Sequence, residues 1–564
     1  MNFRWVFRQH INEDTVNELT QTLRIPAVLA RVLVGRGLTT PQDVEEFFHP
    51  SLDHLHDPFS MDGMEAAVTR LSQALANNEL VWIHGDYDVD GTSSAAMMLH
   101  FLHTVGAQAR YFIPDRSVGF GFTQQSVNLA HEAGAKLIIT VDIGVTAVDS
   151  VAYAKDLGID VIVCDHHEPA EELPNANAIL DPIKPGCMYA YKSLCGCGVS
   201  FKLVQGMAQR LGQPELALKY LDLVAIASAA DIVPLTGENR IFSSFGLSKL
   251  NTNPLPGIKG LIDCAGIKLG EINNSSIVFA MAPRINAAGR LGDPARAVEM
   301  MIQDDEVMSF RIAQELEQDN RRRRAIDEVT YEHAETVAAK SLVDGARRSL
   351  VVHDNDWHAG VIGIVASRLV ERFHVPTIML TTIDGIAKGS ARSIREFDIH
   401  NALKQCEDLL IEYGGHKHAA GLSLHVANIP ELARRFDVIA QAALTTEMLT
   451  PDLTIDAELS LSDLTPSFFK LLAKFAPYGH GNARPLFYSR DVVSANGVKV
   501  VGNNHLKFRA LQNNFAIDAI GFNLGHRHAD CSNGRVFSLV YTLEESVYHG
   551  QTTPQLRIRD IRPV

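Results

Sequence analysis

Three short apolar runs in this chain lead into acidic residues or histidines. The run LVWIHG (80–85) precedes Asp86, Asp88 and Asp90, KLIITVDIG (136–144) contains Asp142, and DVIVCDHHEP (160–169) contains Asp165, His166 and His167. Helix-like segments separate the runs, and strands rich in Val and Ile that alternate with helices are typical of a parallel α/β sheet. Open sheets of this kind bind ligands at the carboxyl ends of their strands. We therefore expect these acids and histidines to meet at one edge of a buried sheet.

The chain is too long, at 564 residues, to form one hydrophobic core. Residues 304–340 contain no Gly or Pro and are rich in helix formers, which predicts one long connecting helix. A second α/β segment runs from SLVVHD (349–354) to GGHKHAAG (414–421). Short runs separated by Asn-Gly and Asn-Asn turns follow, and they predict a small β-barrel, for which an OB-type barrel is the natural candidate. The predicted parts are an N-terminal segment, a catalytic domain, the helix, a second α/β domain and the barrel, at 1–45, 46–303, 304–340, 341–450 and 451–564.

Composition narrows the possible classes of protein. The net charge of −15 argues against a broad nucleic-acid-coating surface but leaves room for a narrow basic channel. Seven scattered cysteines suit a reducing compartment, and the spacing Cys195-Gly-Cys197 is poor for a structural zinc site. No run approaches 18 apolar residues, and the N-terminus has no secretory h-region. We expect a cytoplasmic protein that does not bind membranes.

The acids themselves indicate metal. Carboxylates gathered at one edge of a sheet repel each other, and divalent cations offset this repulsion. Two cations held side by side are suited to hydrolysis of phosphoesters, and Asp with His favours Mn²⁺ or Mg²⁺. The motif Asp86-x-Asp88-x-Asp90-Gly also resembles the start of an EF-hand loop, but Met97 occupies the twelfth position, where that loop needs Glu. A two-cation hydrolytic site is therefore the better interpretation.

The histidines and one further acid extend this site. His166 and His167 are adjacent and point in different directions, so one can bind metal while the other faces substrate. His84 precedes Asp88 by four residues and is a candidate ligand of the second cation. Asp231 follows the small apolar run of YLDLVAIASAADIVPL (220–235), where an acid is unexpected unless it faces a site.

At this point the residues resemble a known family. His84-x-x-x-Asp88-x-Asp90-Gly, Val-Asp142-x-Gly, Asp165-His166-His167 and Asp231 are similar to the motifs of the DHH phosphoesterase superfamily, and GGHKHAAG is similar to its DHH-associated domain. WHAGVIGIVASRL (357–369), RINAAGR (284–290), GSARS (389–393) and FAPYGHGNARPLF (475–487) resemble segments of its bacterial single-strand DNA exonucleases. The resemblance covers nearly the whole chain.

The resemblance implies a role for each matching residue. The implied metal ligands are Asp88, Asp90, Asp142, His166 and Asp231, with His84 and Asp86 as candidates for the second cation; the implied catalytic residues are His167, Asp165, Asp142 and Asp88. His167 is expected at the scissile phosphate. The implied contacts to phosphate or DNA are Arg116, Arg284, Arg290, Ser390, Arg392, His416, His418 and Phe120. The alternatives are surface ion pairs for these arginines and a core position for Phe120 or Phe122. The arginine run at 321–324 is interpreted as a solvated helix face, with a contact to nucleic acid as its alternative.

The activity that the resemblance implies is 5′→3′ degradation of single-stranded DNA to mononucleotides, in DNA repair and recombination. The implied partners are single-stranded DNA with a 5′ end, single-strand DNA-binding protein and a RecQ-type helicase. A phosphodiesterase for short RNA or cyclic dinucleotides and a pyrophosphatase are alternatives, but such enzymes resemble only the first two domains. A non-catalytic scaffold is a further alternative, although every metal-ligand position is occupied here.

Overall fold

The computed structural model describes residues 3–114, 121–342, 347–548 and 551–564. They form two compact units. The larger unit comprises Val6–Gly289, Asp293–Leu316 and Thr454–Val564, and the smaller unit comprises Met1–Trp5, Arg290–Gly292 and Glu317–Leu453. Arg116 and Phe120 lie outside the described residues. No helix in the described ranges is long and apolar enough to cross a membrane.

A five-stranded parallel sheet forms the centre of the larger unit. Its strands, from edge to edge, are Ala109–Phe112, Val81–Gly85, Leu137–Val141, Asp160–Cys164 and Ala178–Leu180. The strands Val81–Gly85 and Leu137–Val141 are buried throughout, as their branched apolar residues suggest. The predicted parallel sheet is confirmed, and Asp86, Asp142 and Asp165 directly follow its three central strands.

Helices cover both faces of this sheet. Ile83 and Ile139 belong to one buried cluster and their neighbours Trp82 and Ile138 to another, because successive side chains of a strand point to opposite faces. The helices that follow the N-terminal region in the larger unit are Met64–Ala76, Val89–Thr104, Gln124–Glu132, Val148–Asp156, Gly196–Arg210, Leu221–Ala230, Gly237–Thr252, Pro256–Cys264, Asn274–Ser276, Ala282–Leu291 and Ala295–Met301.

One of these helices begins with an irregular turn. The π-helix Ile277–Met281 leads into Ala282–Leu291, whose second residue is Pro283. Proline donates no backbone hydrogen bond, and its ring clashes with the carbonyl group four residues earlier, here that of Phe279. The wider π-turn accommodates that clash.

The smaller unit has its own sheet. Its strands, from edge to edge, are Leu410–His416, Ala419–His425, Ile386–Arg392, Thr377–Ile383 and Leu350–His353. Its other elements are the helices Ile362–Phe373, Ile399–Lys404 and Ile429–Ala443 and most of a long helix, Glu306–Ser341. The long helix confirms the connecting helix expected from composition. Within it Arg321 donates to Glu317, and Arg323 donates to Asn320, which favours a helix-face role for the arginine run.

The C-terminal part of the larger unit is a closed barrel. Its five strands are Phe487–Ser494, Phe537–Tyr548, Gln551–Pro563, Phe515–Gly521 and His505–Gln512, and the last pairs with the first through Val493 and Leu511. Two short strands, Ala457–Glu458 and Lys499–Val501, lie beside it. Asn513 and Asn514 both have positive φ and form the hairpin turn that the Asn-Asn pair predicts.

Three N-terminal helices pack against this barrel. Glu13–Leu23, Ala27–Gly35 and Pro41–Phe48 contribute Val16, Leu33 and Val44 to the same buried cluster as the barrel residues Phe487 and Phe537. A further pair of strands, Arg4–Phe7 and Asp452–Ile455, joins the N-terminal region to the segment that precedes the barrel. The chain's beginning and end therefore share one hydrophobic core, while the exact predicted domain limits stay predictions.

Candidate metal centre

The first acidic segment is shaped by a helix N-terminus. Asp88 caps the helix Val89–Thr104, because its Oδ1 accepts from the backbone N–H groups of Asp90 at 2.9 Å and Gly91 at 3.0 Å. Only Oδ1 of Asp88 takes part in this cap, and Oδ2 does not. Gly91 allows the tight turn, since a Cβ atom there would lie 2.4 Å from the backbone oxygen of Asp86.

Asp90 is anchored by a second helix N-terminus. Its carboxylate is buried, and it accepts from the N–H groups of Gly196 and Cys197, both at 2.7 Å, at the start of the helix Gly196–Arg210. Helix N-termini favour negative charge because their first N–H groups are unpaired and their dipole is positive. These two hydrogen bonds offset part of the cost of burying the charge on Asp90.

Asp142 follows its strand in a left-handed conformation with φ of 63°. Its side chain is buried, and its Oδ1 accepts no hydrogen bond from the described residues, although the Nε2 of His166 lies 3.2 Å away. The same Nε2 lies 3.9 Å from an oxygen of Asp90 and 3.8 Å from one of Asp231. Close approach without hydrogen-bond geometry is what ligands of a shared cation show.

Three overlapping groups of ligand atoms result, each with all members within 4.8 Å of one another. They are Asp142 with His166 and His167, Asp90 with His166 and Asp231, and Asp86 with Asp88 and Asp142. The structure therefore brings together every predicted metal ligand except His84. None of these groups contains a cysteine.

The raised pKa values of the clustered aspartates indicate a site for cations. Burial together with the charge of Asp88 raises the pKa of Asp86 and of Asp90 to about 7. Burial and the neighbouring carboxylates raise the pKa of Asp231 to about 8 and that of Asp142 well above its ordinary value. Four acids that resist ionisation alone are stabilised as carboxylates by divalent cations. Oxygen donors with one imidazole fit Mn²⁺ or Mg²⁺.

Asp165 supports the histidine pair instead of joining these groups. It accepts from the N–H groups of Val145, His166 and His167 and from the Nδ1 of His167 at 2.7 Å. Burial raises the pKa of Asp165, but hydrogen bonding to His167 and its charge outweigh burial and hold that pKa below its ordinary value. Burial lowers the pKa of His167, but Asp165 raises it to about 9. His167, whose side chain is 44% exposed, is therefore a protonated group at neutral pH.

His84 has a different environment. Its ring is fully buried, with ring centroids 5.6 Å from Phe112 and 5.2 Å from Phe122. Burial lowers the pKa of His84 to about 4, so the ring is neutral. Its role as a ligand of the second cation stays a prediction. Phe122 is buried against this ring, which favours the core position for that phenylalanine.

Two predicted phosphate-binding arginines have backbone partners. Arg284 is buried and donates to the carbonyl oxygen of Ala280, in its own irregular helix. Arg290 donates to the carbonyl oxygen of Gly360 at 2.9 Å. These bonds orient the guanidinium groups, and the proposed contacts to phosphate stay predictions.

In the smaller unit the remaining candidates lie on neighbouring strands. Ala419 pairs with His416 on one side and with Arg392 on the other, and Ser390 pairs with Gly421. His418 lies in the turn between the two strands Leu410–His416 and Ala419–His425. Ser390, Arg392 and His416 therefore lie close together, at the end of the sheet where the strand Ala419–His425 begins.

Gly363 was not among the predicted site residues. A Cβ atom there would lie 3.0 Å from both the Nη2 of Arg392 and the Oγ of Ser390. Gly363 is the second residue of the helix Ile362–Phe373, so these two side chains approach a helix N-terminus. Guanidinium, hydroxyl and helix N–H groups are suited to binding phosphate.

Asn286 is a second residue that sequence reasoning missed. Its Oδ1 accepts from the N–H of Val89 at 3.2 Å, the helix N–H that the Asp88 side chain leaves unpaired. Gly289, one turn later, packs on Tyr87, since a Cβ atom there would lie 2.7 Å from the Tyr87 ring. The RINAAGR segment therefore supports the acidic loop, and its only sequence signal was membership of a recognised motif.

Three parts of this chain match known protein domains. Residues 80–228 match the DHH family, N-terminal domain, residues 341–442 match the DHHA1 domain, and residues 455–560 match the RecJ OB domain. The single-stranded-DNA-specific exonuclease RecJ of Bacillus subtilis is 38% identical over 99% of this chain and 70% of that protein. The protein of the same name from Dickeya dadantii is 35% identical over 96% of each chain.

The chain belongs to the RecJ family of single-stranded-DNA-specific exonucleases. A solved structure of RecJ from Thermus thermophilus in complex with Mn²⁺ is similar to it, with a TM-score of 0.86 and 29% identity, over 99% of this chain and 79% of that one. The RecJ architecture of DHH domain, DHHA1 domain and OB barrel is thereby confirmed for this chain.

Proposed function

We propose that this RecJ-family chain hydrolyses single-stranded DNA from its 5′ end, releases 5′-mononucleotides and uses two divalent cations, Mn²⁺ or Mg²⁺. The observation that carries the proposal is the convergence of five carboxylates and two histidines, His166 and His167, into three overlapping ligand groups. Membership of an exonuclease family whose solved members include complexes with Mn²⁺ and Mg²⁺ supports it.

The proposed roles follow from position. Asp86, Asp88, Asp90, Asp142, Asp231 and His166 would hold the cations. When bound, two such cations clamp the scissile phosphate, activate a water and stabilise the leaving oxygen. Asp165 fixes the ring of His167 through Nδ1 and keeps it protonated, so His167 donates a hydrogen bond or its proton to the phosphate or the leaving 3′-oxygen.

Substrate binding is assigned to the groups that suit phosphate. Ser390 and Arg392 meet the helix N-terminus at Gly363, which supports their proposed contact with a DNA phosphate. Further contacts with the phosphates or bases of the DNA strand are proposed for His416, His418, Arg116, Arg284, Arg290 and Phe120. The barrel would extend the DNA-binding surface, as OB folds do for single strands.

An end-labelling experiment tests polarity and metal use together. A single-stranded 30-mer labelled at its 5′ or 3′ end is incubated with Mg²⁺, with Mn²⁺ or with EDTA. We expect labelled mononucleotide at once from the 5′ label, progressively shorter fragments from the 3′ label, and no cleavage in EDTA. Immediate release of the 3′ label would refute the polarity, and preferred cleavage of dinucleotides would favour the short-substrate alternative.

The cation ligands are tested separately. Asp142→Ala removes a carboxylate that belongs to two of the three ligand groups. We expect it to abolish hydrolysis and to weaken Mn²⁺ binding measured by calorimetry. Full activity of this variant would show that the metal assignment is wrong.

The proposed setting is DNA repair and recombination in the cytoplasm, where single strands have to be exposed before an enzyme of this specificity can act. A RecQ-type helicase would supply such strands, and single-strand DNA-binding protein would coat them. The seven scattered cysteines suit a reducing compartment. Co-purification of the chain with either partner, with and without nuclease treatment, distinguishes direct binding from joint occupancy of DNA.

A further inference from the structure

The segment that follows Asp231 has a strained backbone. Ile232 has φ of 59°, in the left-handed region that branched side chains rarely adopt, and it is 62% exposed. Burial of its own side chain therefore does not explain the conformation. Contacts with neighbouring residues have to stabilise this conformation, because a strained backbone persists only where the surrounding structure fixes it.

Part of the hold comes from the catalytic domain. The carbonyl oxygen of Pro234 accepts from the hydroxyl of Tyr191 at 3.1 Å and from the Nδ2 of Asn239 at 3.0 Å. These two bonds fix the backbone three residues after Asp231. Leu235 is fixed by a different contact, a backbone hydrogen bond to His480.

The second hold comes from the loop 475–483, which precedes the barrel strands. The carbonyl oxygen of His480 accepts from the N–H of Leu235 at 2.8 Å. Two glycines of the loop bring it close: a Cβ atom on Gly479 would lie 2.4 Å from Leu235 Cδ1, and one on Gly481 would lie 2.9 Å from Pro234 Cβ. The loop and the segment 231–236 therefore pack backbone against backbone.

The loop is itself rigidly held. The buried Arg240 donates to the carbonyl oxygens of Lys474, Phe475 and Ala476. The buried Asn482 donates from Nδ2 to the carbonyl oxygens of Phe475 and Pro477, both at 2.8 Å. Such a loop can transmit a fixed position to Leu235, which a mobile loop cannot.

We propose that the loop 475–483 positions Asp231 and thereby sets the cation affinity of the carboxylate cluster. The inference rests on the proposed role of Asp231 as a metal ligand. The loop contacts Pro234 and Leu235, and it acts by fixing the backbone from which Asp231 extends. Groups that orient a ligand typically change metal affinity about 10–100-fold when they are altered. The proposal gives the FAPYGHGNARPLF segment a task beyond folding of the barrel.

A matched pair of glycine substitutions tests this. Gly481 and Gly534 have nearly equal φ, 69° and 70°, so alanine imposes the same backbone strain at both. A Cβ atom meets Pro234 only at Gly481, and at Gly534 it has nothing within 4 Å. Mn²⁺ binding to the whole 564-residue chain is measured by calorimetry, with thermal unfolding alongside. We expect Gly481→Ala to raise the Kd for Mn²⁺ about tenfold, and Gly534→Ala to leave it unchanged.

A second variant guards against a folding defect. In Gly479→Ala the added methyl group lies too close only to the flexible Leu235 side chain, at 2.4 Å from Cδ1 and 3.1 Å from Cγ, and it makes an ordinary contact with Asn274 Nδ2 at 3.8 Å. We expect a smaller rise of the Kd for Mn²⁺ in a protein that unfolds at nearly the wild-type temperature. Wild-type Kd values for both Gly481→Ala and Gly479→Ala would overturn the proposal, as would an equal change in Gly534→Ala. Wild-type binding by Asp142→Ala would instead overturn the underlying metal assignment.

Discussion

Gly196 offers the sharpest test of how the cluster is built. It is the first residue of the helix Gly196–Arg210, and a Cβ atom there would lie 2.4 Å from Asp142 Oδ1 and 2.6 Å from Asp142 Cβ. Asp142 is buried and left-handed, so it has little freedom to turn away. In Gly196→Ala the carboxylate or the helix has to move by about 1 Å to reach ordinary van der Waals contact.

The substitution is expected to change both the stability of the fold and the rate of hydrolysis. Overpacking costs about 1–3 kcal/mol of stability, and alanine in place of glycine in a helix returns up to about 1 kcal/mol. A displacement of about 1 Å at a reacting centre costs about 10²-fold in rate, which corresponds to about 2.7 kcal/mol of activation free energy. We therefore expect a folded protein whose hydrolysis rate falls about 10²-fold.

Gly198→Ala is the matched control in the same helix. A Cβ atom there would meet Leu194 at 3.4 Å, an ordinary contact. We expect wild-type activity and a slightly higher unfolding temperature. The assay is Mn²⁺-dependent release of mononucleotides from single-stranded DNA at saturating metal. If the two variants hydrolyse DNA at rates within twofold of each other, the reasoning about Asp142 is refuted.

Three further predictions concern charged groups. Lys202→Met leaves Glu238, its buried partner at 2.6 Å, without a cation and should cost about 3–5 kcal/mol of unfolding free energy in urea. Adding Glu238→Gln should recover part of that loss, and a loss below about 1 kcal/mol would contradict the burial argument. Asp165→Asn should lower the pKa of His167 from about 9 toward its ordinary 6.5 in a metal-free NMR titration, whereas an unchanged pKa would show that Asp165 does not set it. Because burial raises the pKa of Asp231 from 3.8 to about 8, the folded metal-free protein keeps a proton that the unfolded chain releases, so its stability should fall as the pH rises between these values. An unfolding temperature in EDTA that is higher at pH 8 than at pH 6 would contradict this.

Local patterns explain why much of the site could be predicted. Asp86, Asp142 and Asp165 each follow a short run of branched apolar residues, and parallel strands place their carboxyl ends at one edge. The long helix could also be predicted, because a run of 36 residues without Gly or Pro and rich in helix formers favours a continuous helix over other structures. Position within a strand does not report the distance between side chains, so the role of His84 as a ligand of the second cation stays a prediction.

What the sequence by itself determined is the chemistry and its place in the sheet: which acids and histidines gather, and that they gather at strand ends. Periodicity and residue type act over a few neighbours, so they carry that information. Only the tertiary structure decided how the ligands are held. Asn286 accepts a hydrogen bond from the N–H of Val89, which is 197 residues away in the sequence. The loop 475–483 likewise contacts the segment after Asp231, although the two are far apart in the sequence. Such contacts depend on how separate elements pack, and no local pattern encodes that packing.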